Sequence, residues 1–133
     1  MSETDELDEL REQKAEELKE QATGSDTPSE PVHVEGADHL DELVADNEVV
    51  LVDFYADWCG PCQMLEPTVE AVAEETQAVV AKVDVDAHQQ LAGQYGVRGV
   101  PTLVLFVDGE QAEQVVGVRE KDHFVSLIER HTA

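Results

Sequence analysis

The sequence predicts an α/β domain in which a mixed five-stranded sheet is flanked by four helices. Short apolar runs rich in valine alternate along the chain with segments of helical, 3.6-residue periodicity. The run 49–55 is almost continuously apolar, as is typical of a strand buried on both faces in a parallel sheet. Asp108-Gly109 is a two-residue hairpin signal, so the strand that follows should return antiparallel.

The elements are predicted in the order β-α-β-α-β-α-β-β-α, which places helices on both faces of the sheet. Strands are predicted at Val32–Val34, Val49–Tyr55, Ala78–Val85, Thr102–Val107 and about Gln111–Val116. Helices are predicted at Asp38–Ala45, about Cys59–Glu75, Gln89–Tyr95 and about Lys121–Arg130. Apolar side chains recur on one face of each long helix, and in the last helix Phe124, Leu127 and Ile128 should point inward. Pro67 should kink the second helix, because proline removes an interior hydrogen bond.

The first 31 residues differ in composition from the rest. Residues 1–22 form an acidic extension rich in good helix formers, in which Leu7, Leu10 and Leu18 make only a thin apolar stripe. A solvated helix is favoured over a partner-binding helix, and both interpretations stay open. Residues 23–31 have the composition of a flexible linker, so the domain should span 32–133.

Composition favours a soluble, cytoplasmic protein. The 133 residues are 41% hydrophobic, enough for one core. No stretch approaches the roughly 18 apolar residues that a membrane span needs. The N-terminus lacks the basic and apolar regions of a secretory signal.

The chain is strongly acidic along its whole length. The net charge is −23, which argues against nucleic-acid binding by phosphate neutralisation. Residues 1–35 hold 12 acids and 3 bases, net −9, and residues 36–133 hold 19 and 5, net −14. Because both parts are acidic, adaptation to a high-salt cytoplasm is favoured over an ordinary acidic protein, and stability should rise between low and molar salt.

The segment Trp58-Cys59-Gly60-Pro61-Cys62 contains the only two cysteines and directly follows the buried strand. Two intervening residues at the start of a helix bring the sulfurs close enough to bond, and the first helical turn favours a thiolate on the first cysteine. The spacing therefore predicts thiol–disulfide exchange. Cys59 should be the nucleophile, at the exposed N-terminal edge of the helix. Cys62 should be the buried resolving thiol.

A metal site is the alternative use of such a pair. A structural zinc site needs four ligands, and the five histidines (His33, His39, His88, His123 and His131) show no finger-like pairing. An iron–sulfur cluster bridging two copies is weaker still. The sequence predicts no metal and no cofactor other than a redox-active Cys59–Cys62 disulfide.

The segment 52–62, Val-Asp-Phe-Tyr-Ala-Asp-Trp-Cys-Gly-Pro-Cys, resembles the active-site strand and helix of the thioredoxin family. Further similarity lies at 96–103, Gly-Val-Arg-Gly-Val-Pro-Thr-Leu, and at Val116-Gly117, so the resemblance spans about 32–133 and implies a thioredoxin fold. It implies that Asp53 is the buried aspartate that assists proton transfer at the resolving cysteine, with a raised pKa. It also implies that Pro101 is a cis-proline facing the disulfide.

The resemblance further implies a flat docking surface for an extended substrate segment, which would pair with the backbone of Val100. This surface would be formed by Trp58, Gly60, Pro61, Val100, Pro101 and Gly117. Without the resemblance, Trp58 could be a core aromatic and Gly117 an ordinary strand-end glycine. Lys82 falls where the family places a lysine near the buried aspartate, and a surface lysine is the rival interpretation.

These observations predict a protein-disulfide reductase that acts on disulfide-containing proteins and is recharged by a separate thioredoxin reductase, as a monomer. Two departures from the family leave its redox potential and partner electrostatics open: Gln63 stands where lysine is common, and Tyr55 where tryptophan is frequent. A disulfide oxidant or isomerase of the same fold is the nearest alternative, although Pro61 favours a reductase. A non-catalytic adaptor is the other.

Overall fold

A computed structural model of the chain describes residues 28–132, which form five strands and four helices. The strands are β1 (Val32–His33), β2 (Val49–Tyr55), β3 (Val79–Asp84), β4 (Thr102–Val107) and β5 (Glu110–Val116). The helices are α1 (Ala37–Asp46), α2 (Gly60–Glu75), α3 (Gln89–Gln94) and α4 (Lys121–Thr132). The predicted order of elements is confirmed. The predicted N-terminal helix and the start of the predicted linker lie outside the described residues.

The strands form one mixed sheet in the order β1-β3-β2-β4-β5. The central strand β2 pairs in parallel with β3 and antiparallel with β4. In this register Asp53 lies between Lys82 on β3 and Leu103 on β4. The predicted hairpin joins β4 to β5, with positive φ angles of 53° at Asp108 and 86° at Gly109, as a type I′ turn requires.

Successive residues of β2 point to opposite faces of the sheet. On one face, here called the α1 face, Val50, Val52 and Phe54 pack with residues of α1 and α3. On the other, the α2 face, Val49 and Leu51 pack with residues of α2 and α4. By the same alternation Asp53 lies on the α2 face, beneath the helix that carries the cysteines.

Helix α2 holds the cysteines at its N-terminal end and packs on the sheet through the middle of its length. Leu65, Val69 and Val72, spaced three to four residues apart, are buried against the sheet and α4. The helix continues past Pro67 to Glu75. Packing along this face holds the start of the helix at the end of β2.

Candidate functional site

The two cysteines lie where the chain leaves β2 and enters α2. Cys59 is the N-cap of α2, and its Sγ accepts a hydrogen bond from the Cys62 N–H at 3.1 Å. Pro61 occupies the first turn, where the missing N–H would have had no helical partner. Because this end of the helix favours negative charge, the same N–H would stabilise a thiolate on Cys59 in the reduced protein.

Cys59 and Cys62 are joined as a disulfide, with Cα atoms 5.2 Å apart. Only 3% of each residue is exposed. The expectation that Cys59 lies at an exposed edge is therefore wrong for this disulfide form. The reason is that Cys59 packs with Ala56 and Val100, and its Sγ lies 3.8 Å from the Val100 carbonyl oxygen.

The loop that covers Cys59 ends in a cis peptide bond between Val100 and Pro101. The Gly117 N–H donates to the Pro101 carbonyl at 2.9 Å, so the end of β5 holds this loop in place. Gly117 has a φ of +98°, which favours glycine at this contact. Within residues 28–132, neither the N–H nor the carbonyl of Val100 forms a backbone–backbone hydrogen bond.

The expected docking surface is partly exposed and partly covered. Trp58 is 70% exposed, so it is not a core aromatic, and Gly60 and Pro61 are also exposed. Val100 is half-buried and Pro101 is buried. Pro101 is buried because it leads directly into the buried strand β4, and its contribution to the docking surface stays a prediction.

Trp58 is held in place by a partner that the sequence analysis did not identify. Its Nε1–H donates to a carboxylate oxygen of Asp86 at 2.8 Å. Trp58, Val97, Arg98 and Val100 line part of a shallow groove of about 150 Å³. No local signal pointed to Asp86, which is 28 residues away along the chain.

Asp53 is the buried acid of the site. The residue is 1% exposed, and within the described part of the chain neither carboxylate oxygen accepts a hydrogen bond. Burial raises its pKa from 3.8 to about 6, because the charged form loses its hydration; the Lys82 ammonium lowers this pKa and the Glu66 carboxylate raises it. Asp53 can therefore exchange a proton near neutral pH.

Lys82 is buried beside Asp53 and is not a surface lysine. Its Nζ lies 3.8 Å from Asp53 Oδ2, and the residue is 4% exposed. The same ammonium donates a hydrogen bond to Glu66 and sits 4.3 Å from the centre of the Tyr55 ring. Glu66 is the second residue that the sequence analysis missed, although its place four residues after Cys62 was a usable signal, since positions i and i+4 share a helix face.

Between residues 28 and 132, no three or more His, Cys, Asp or Glu side chains are grouped to hold a metal ion. No helix in the described part of the chain has the length and apolarity needed to cross a membrane.

Comparison with known proteins gives a consistent result. Residues 30–130 match the family model described as Thioredoxin. A thioredoxin of Chlamydia caviae is 43% identical over 102 residues, which cover 76% of this chain and 99% of that protein. A thioredoxin of Chlamydia muridarum is 46% identical over 101 residues, covering 75% of this chain and 98% of the relative.

Solved structures with the same fold include two informative neighbours. A mutant thioredoxin from Halobacterium salinarum is 63% identical, with a TM-score of 0.79 over 80% of this chain and 95% of that one. A thioredoxin from Fasciola hepatica is 36% identical, with a TM-score of 0.71 over 76% of this chain and 99% of the other.

Proposed function

The chain belongs to the thioredoxin family and is a thiol–disulfide oxidoreductase that reduces protein disulfides, and we propose that Cys59 is its nucleophile and Cys62 its resolving thiol. One observation carries this assignment: the disulfide joins the N-cap of α2 to a residue one turn further in. The N-terminal end of a helix stabilises a thiolate at the first of these positions more than at the second.

The reaction passes through a mixed disulfide. The Cys59 thiolate attacks one sulfur of the substrate disulfide, forms a new S–S bond and releases the other substrate sulfur as a thiolate. The Cys62 thiol then loses its proton and attacks Cys59, which releases the second substrate thiolate and forms the Cys59–Cys62 disulfide. The substrate gains two electrons and the protein loses two, so a separate reductase must restore the dithiol.

We assign Asp53 as the group that accepts the Cys62 proton. Its pKa of about 6 supports this role, because a base with a pKa near the working pH is both ionised and basic enough to take a proton. Asp53 also lies on the sheet face that α2 covers. The ionised carboxylate would be tolerated there because Lys82 is close.

Substrate docking is proposed at the groove beside the disulfide. The Val100 N–H and carbonyl, which form no backbone–backbone hydrogen bond within residues 28–132, can pair with an extended substrate segment, which would align a substrate sulfur with Cys59. Trp58, Gly60 and Pro61 would border this segment on one side and Gly117 on the other.

The single experiment that tests these roles is trapping. Cys62→Ser should accumulate mixed disulfides with protein substrates on Cys59, because the resolving attack is lost. Cys59→Ser should accumulate none and should lose the ability to accelerate insulin reduction by dithiothreitol. Trapping by Cys59→Ser instead would reverse the assignment, and a native protein no faster than dithiothreitol alone would favour an adaptor.

The cellular location, oligomeric state and redox potential of the protein are also proposals. We expect a cytoplasmic monomer that needs no cofactor beyond its disulfide and does not bind nucleic acid. A high-salt cytoplasm is supported by the net charge of −23 and by the 63% identity to a protein from a halophile, Halobacterium salinarum. An oxidant or isomerase would show a Cys59–Cys62 potential near or above that of glutathione, whereas the reductase should lie below it.

A further inference from the structure

Glu66 links the surface of α2 to the buried acid of the site. It follows Cys62 by four residues, so both side chains lie on the same face of α2. Its side chain is 45% exposed, yet its carboxylate accepts a hydrogen bond from the Lys82 ammonium, which is almost fully buried. One end of this ion pair therefore meets solvent and the other reaches Asp53.

The position of the Lys82 ammonium is set by Glu66 more than by Asp53. The separation of 3.8 Å between Nζ and Asp53 Oδ2 is too long for a hydrogen bond. Neither oxygen of Asp53 accepts a hydrogen bond within the described residues. The Tyr55 ring, 4.3 Å from Nζ, borders the ammonium on another side. Lys82 thus acts on Asp53 through its charge and not through a shared proton.

Within residues 28–132, the charges that act on Asp53 are those of Lys82 and Glu66. The strand β3 contributes Lys82 and the helix α2 contributes Glu66, with Cys62 as a further titratable group once the disulfide is reduced. The neighbouring position on β4 is the apolar Leu103. Tyr55, on the same strand as Asp53, faces the ammonium. The charge around Asp53 therefore depends on the position of the Lys82 ammonium.

We propose that Glu66 is a positioning residue that holds the Lys82 ammonium out of hydrogen-bond reach of Asp53 and so keeps Asp53 able to accept the Cys62 proton. Without the Glu66 charge, the ammonium would be free to move onto Asp53 and form a direct ion pair. A direct ion pair lowers the pKa of a carboxyl group and makes its carboxylate a weaker base. The kinetic consequence rests on the proposed role of Asp53, whereas the placement of Lys82 does not.

The first test measures the placement without catalysis. In the oxidised protein, Glu66→Gln should lower the pKa of Asp53, followed through its carboxyl carbon by NMR, by about one unit or more. Glu70→Gln is the matched control, because it removes the same charge from an exposed position one turn further along α2. An unchanged or raised pKa in Glu66→Gln, or an equal shift in the control, would overturn the proposal.

A double-mutant cycle separates positioning from simple charge repulsion between Glu66 and Asp53. If Glu66 acts by holding Lys82, the shift that Glu66→Gln causes should fall to less than about half in a Lys82→Met background, because no ammonium remains to be moved. A shift of the same size in both backgrounds would show that direct repulsion alone accounts for it, and positioning would be rejected.

The kinetic test addresses Asp53 separately. Over pH 5–8, Glu66→Gln should shift the acid limb of the rate of insulin reduction to lower pH, and the plateau rate should fall by about threefold, since the base is weaker. A shifted pKa with an unchanged rate profile would support the placement of Lys82 but overturn Asp53 as the proton acceptor. An inactive native protein would overturn the proposed function and leave the titration result standing.

Discussion

The two faces of the central sheet are built from alternate residues of the same strands, yet they differ in chemistry. On the α1 face, the strands present apolar side chains to α1 and α3, and the one buried polar residue among them, Thr102, is uncharged and hydrogen-bonded to the Gly99 carbonyl. On the α2 face, the apolar packing is interrupted near the start of α2 by Asp53 and Lys82, which are buried side by side. A buried charge is unfavourable unless it is compensated, so the cost on this one face is consistent with the proton-transfer role proposed for Asp53.

The contrast between the two faces separates the residues that stabilise the domain from those of the candidate site. The α1 face and the far end of the α2 face pack the sheet against its helices mainly through buried apolar side chains. The end of β2 nearest the cysteines places an incompletely compensated acid, Asp53, where the proposed reaction moves a proton. Substitutions on the two faces should therefore have different signatures.

The largest effect is expected on the apolar face. Phe54 is fully buried next to Asp53 in sequence but points to the opposite face, where it packs against Tyr95. Phe54→Ala should lower the free energy of unfolding by about 3–5 kcal/mol, because it opens a cavity. Urea unfolding measures the loss. Below the unfolding transition the pKa of Asp53 should stay close to its native value, and a shift of a full unit would show that the two faces are coupled.

A gain of stability is expected on the other face. The pKa of Asp53 is raised in the fold to about 6. The stability that the protonated Asp53 contributes is therefore fully present below pH 3.8 and is lost as the pH rises through 6. Above that range the ionised carboxylate costs about 3 kcal/mol, and Asp53→Asn should recover an amount of that order at pH 8 but almost none at pH 4.

Urea unfolding at the two pH values checks this prediction. Asp108→Asn is a suitable control, because it removes one carboxylate from the exposed hairpin turn. Equal gains at pH 4 and pH 8 would mean that the benefit of Asp53→Asn comes from packing and not from its charge. The variant should also lose activity while it gains stability.

The smallest effect per group is expected from salt. Each interaction between exposed charges is worth about 0.2–1 kcal/mol, and molar salt screens most of it. The melting temperature should therefore rise between low and molar salt, since the net charge is −23. The gain from Asp53→Asn at pH 8 should be nearly the same in both conditions, because a buried charge is screened much less. If the stability gain from Asp53→Asn disappeared in molar salt, Asp53 would behave as a solvent-exposed charge.

Much of the fold followed from local pattern. Short residue patterns were enough to predict three features: the buried strand β2, the Asp108-Gly109 turn and the inward face of α4. None of these predictions needed information about distant contacts. The cysteine spacing likewise predicted a bonded pair, because a helical turn brings such residues together. The resemblance to a family added the cis bond at Pro101 and the importance of Asp53.

What the pattern missed depends on distant contacts. The indole of Trp58 donates a hydrogen bond to Asp86, which lies 28 residues away in the sequence. Cys59 is covered by Val100, which lies 41 residues away. No local periodicity encodes such pairs. The expected exposure of Cys59 was wrong for the same reason, since nothing near Cys59 in sequence indicates the loop that packs on it.

The sequence alone therefore determined the order of elements, the redox-active pair and the acidic character of the chain, since each depends on residue type and short-range spacing. The charges around Asp53, in contrast, depend on how separate elements pack. The register of β2 with β3 puts Lys82 beside Asp53, and the packing of α2 brings Glu66 to the same ammonium. Charge balance in a buried site depends on distances of a few ångströms between separate elements, and such distances exist only once the chain has folded.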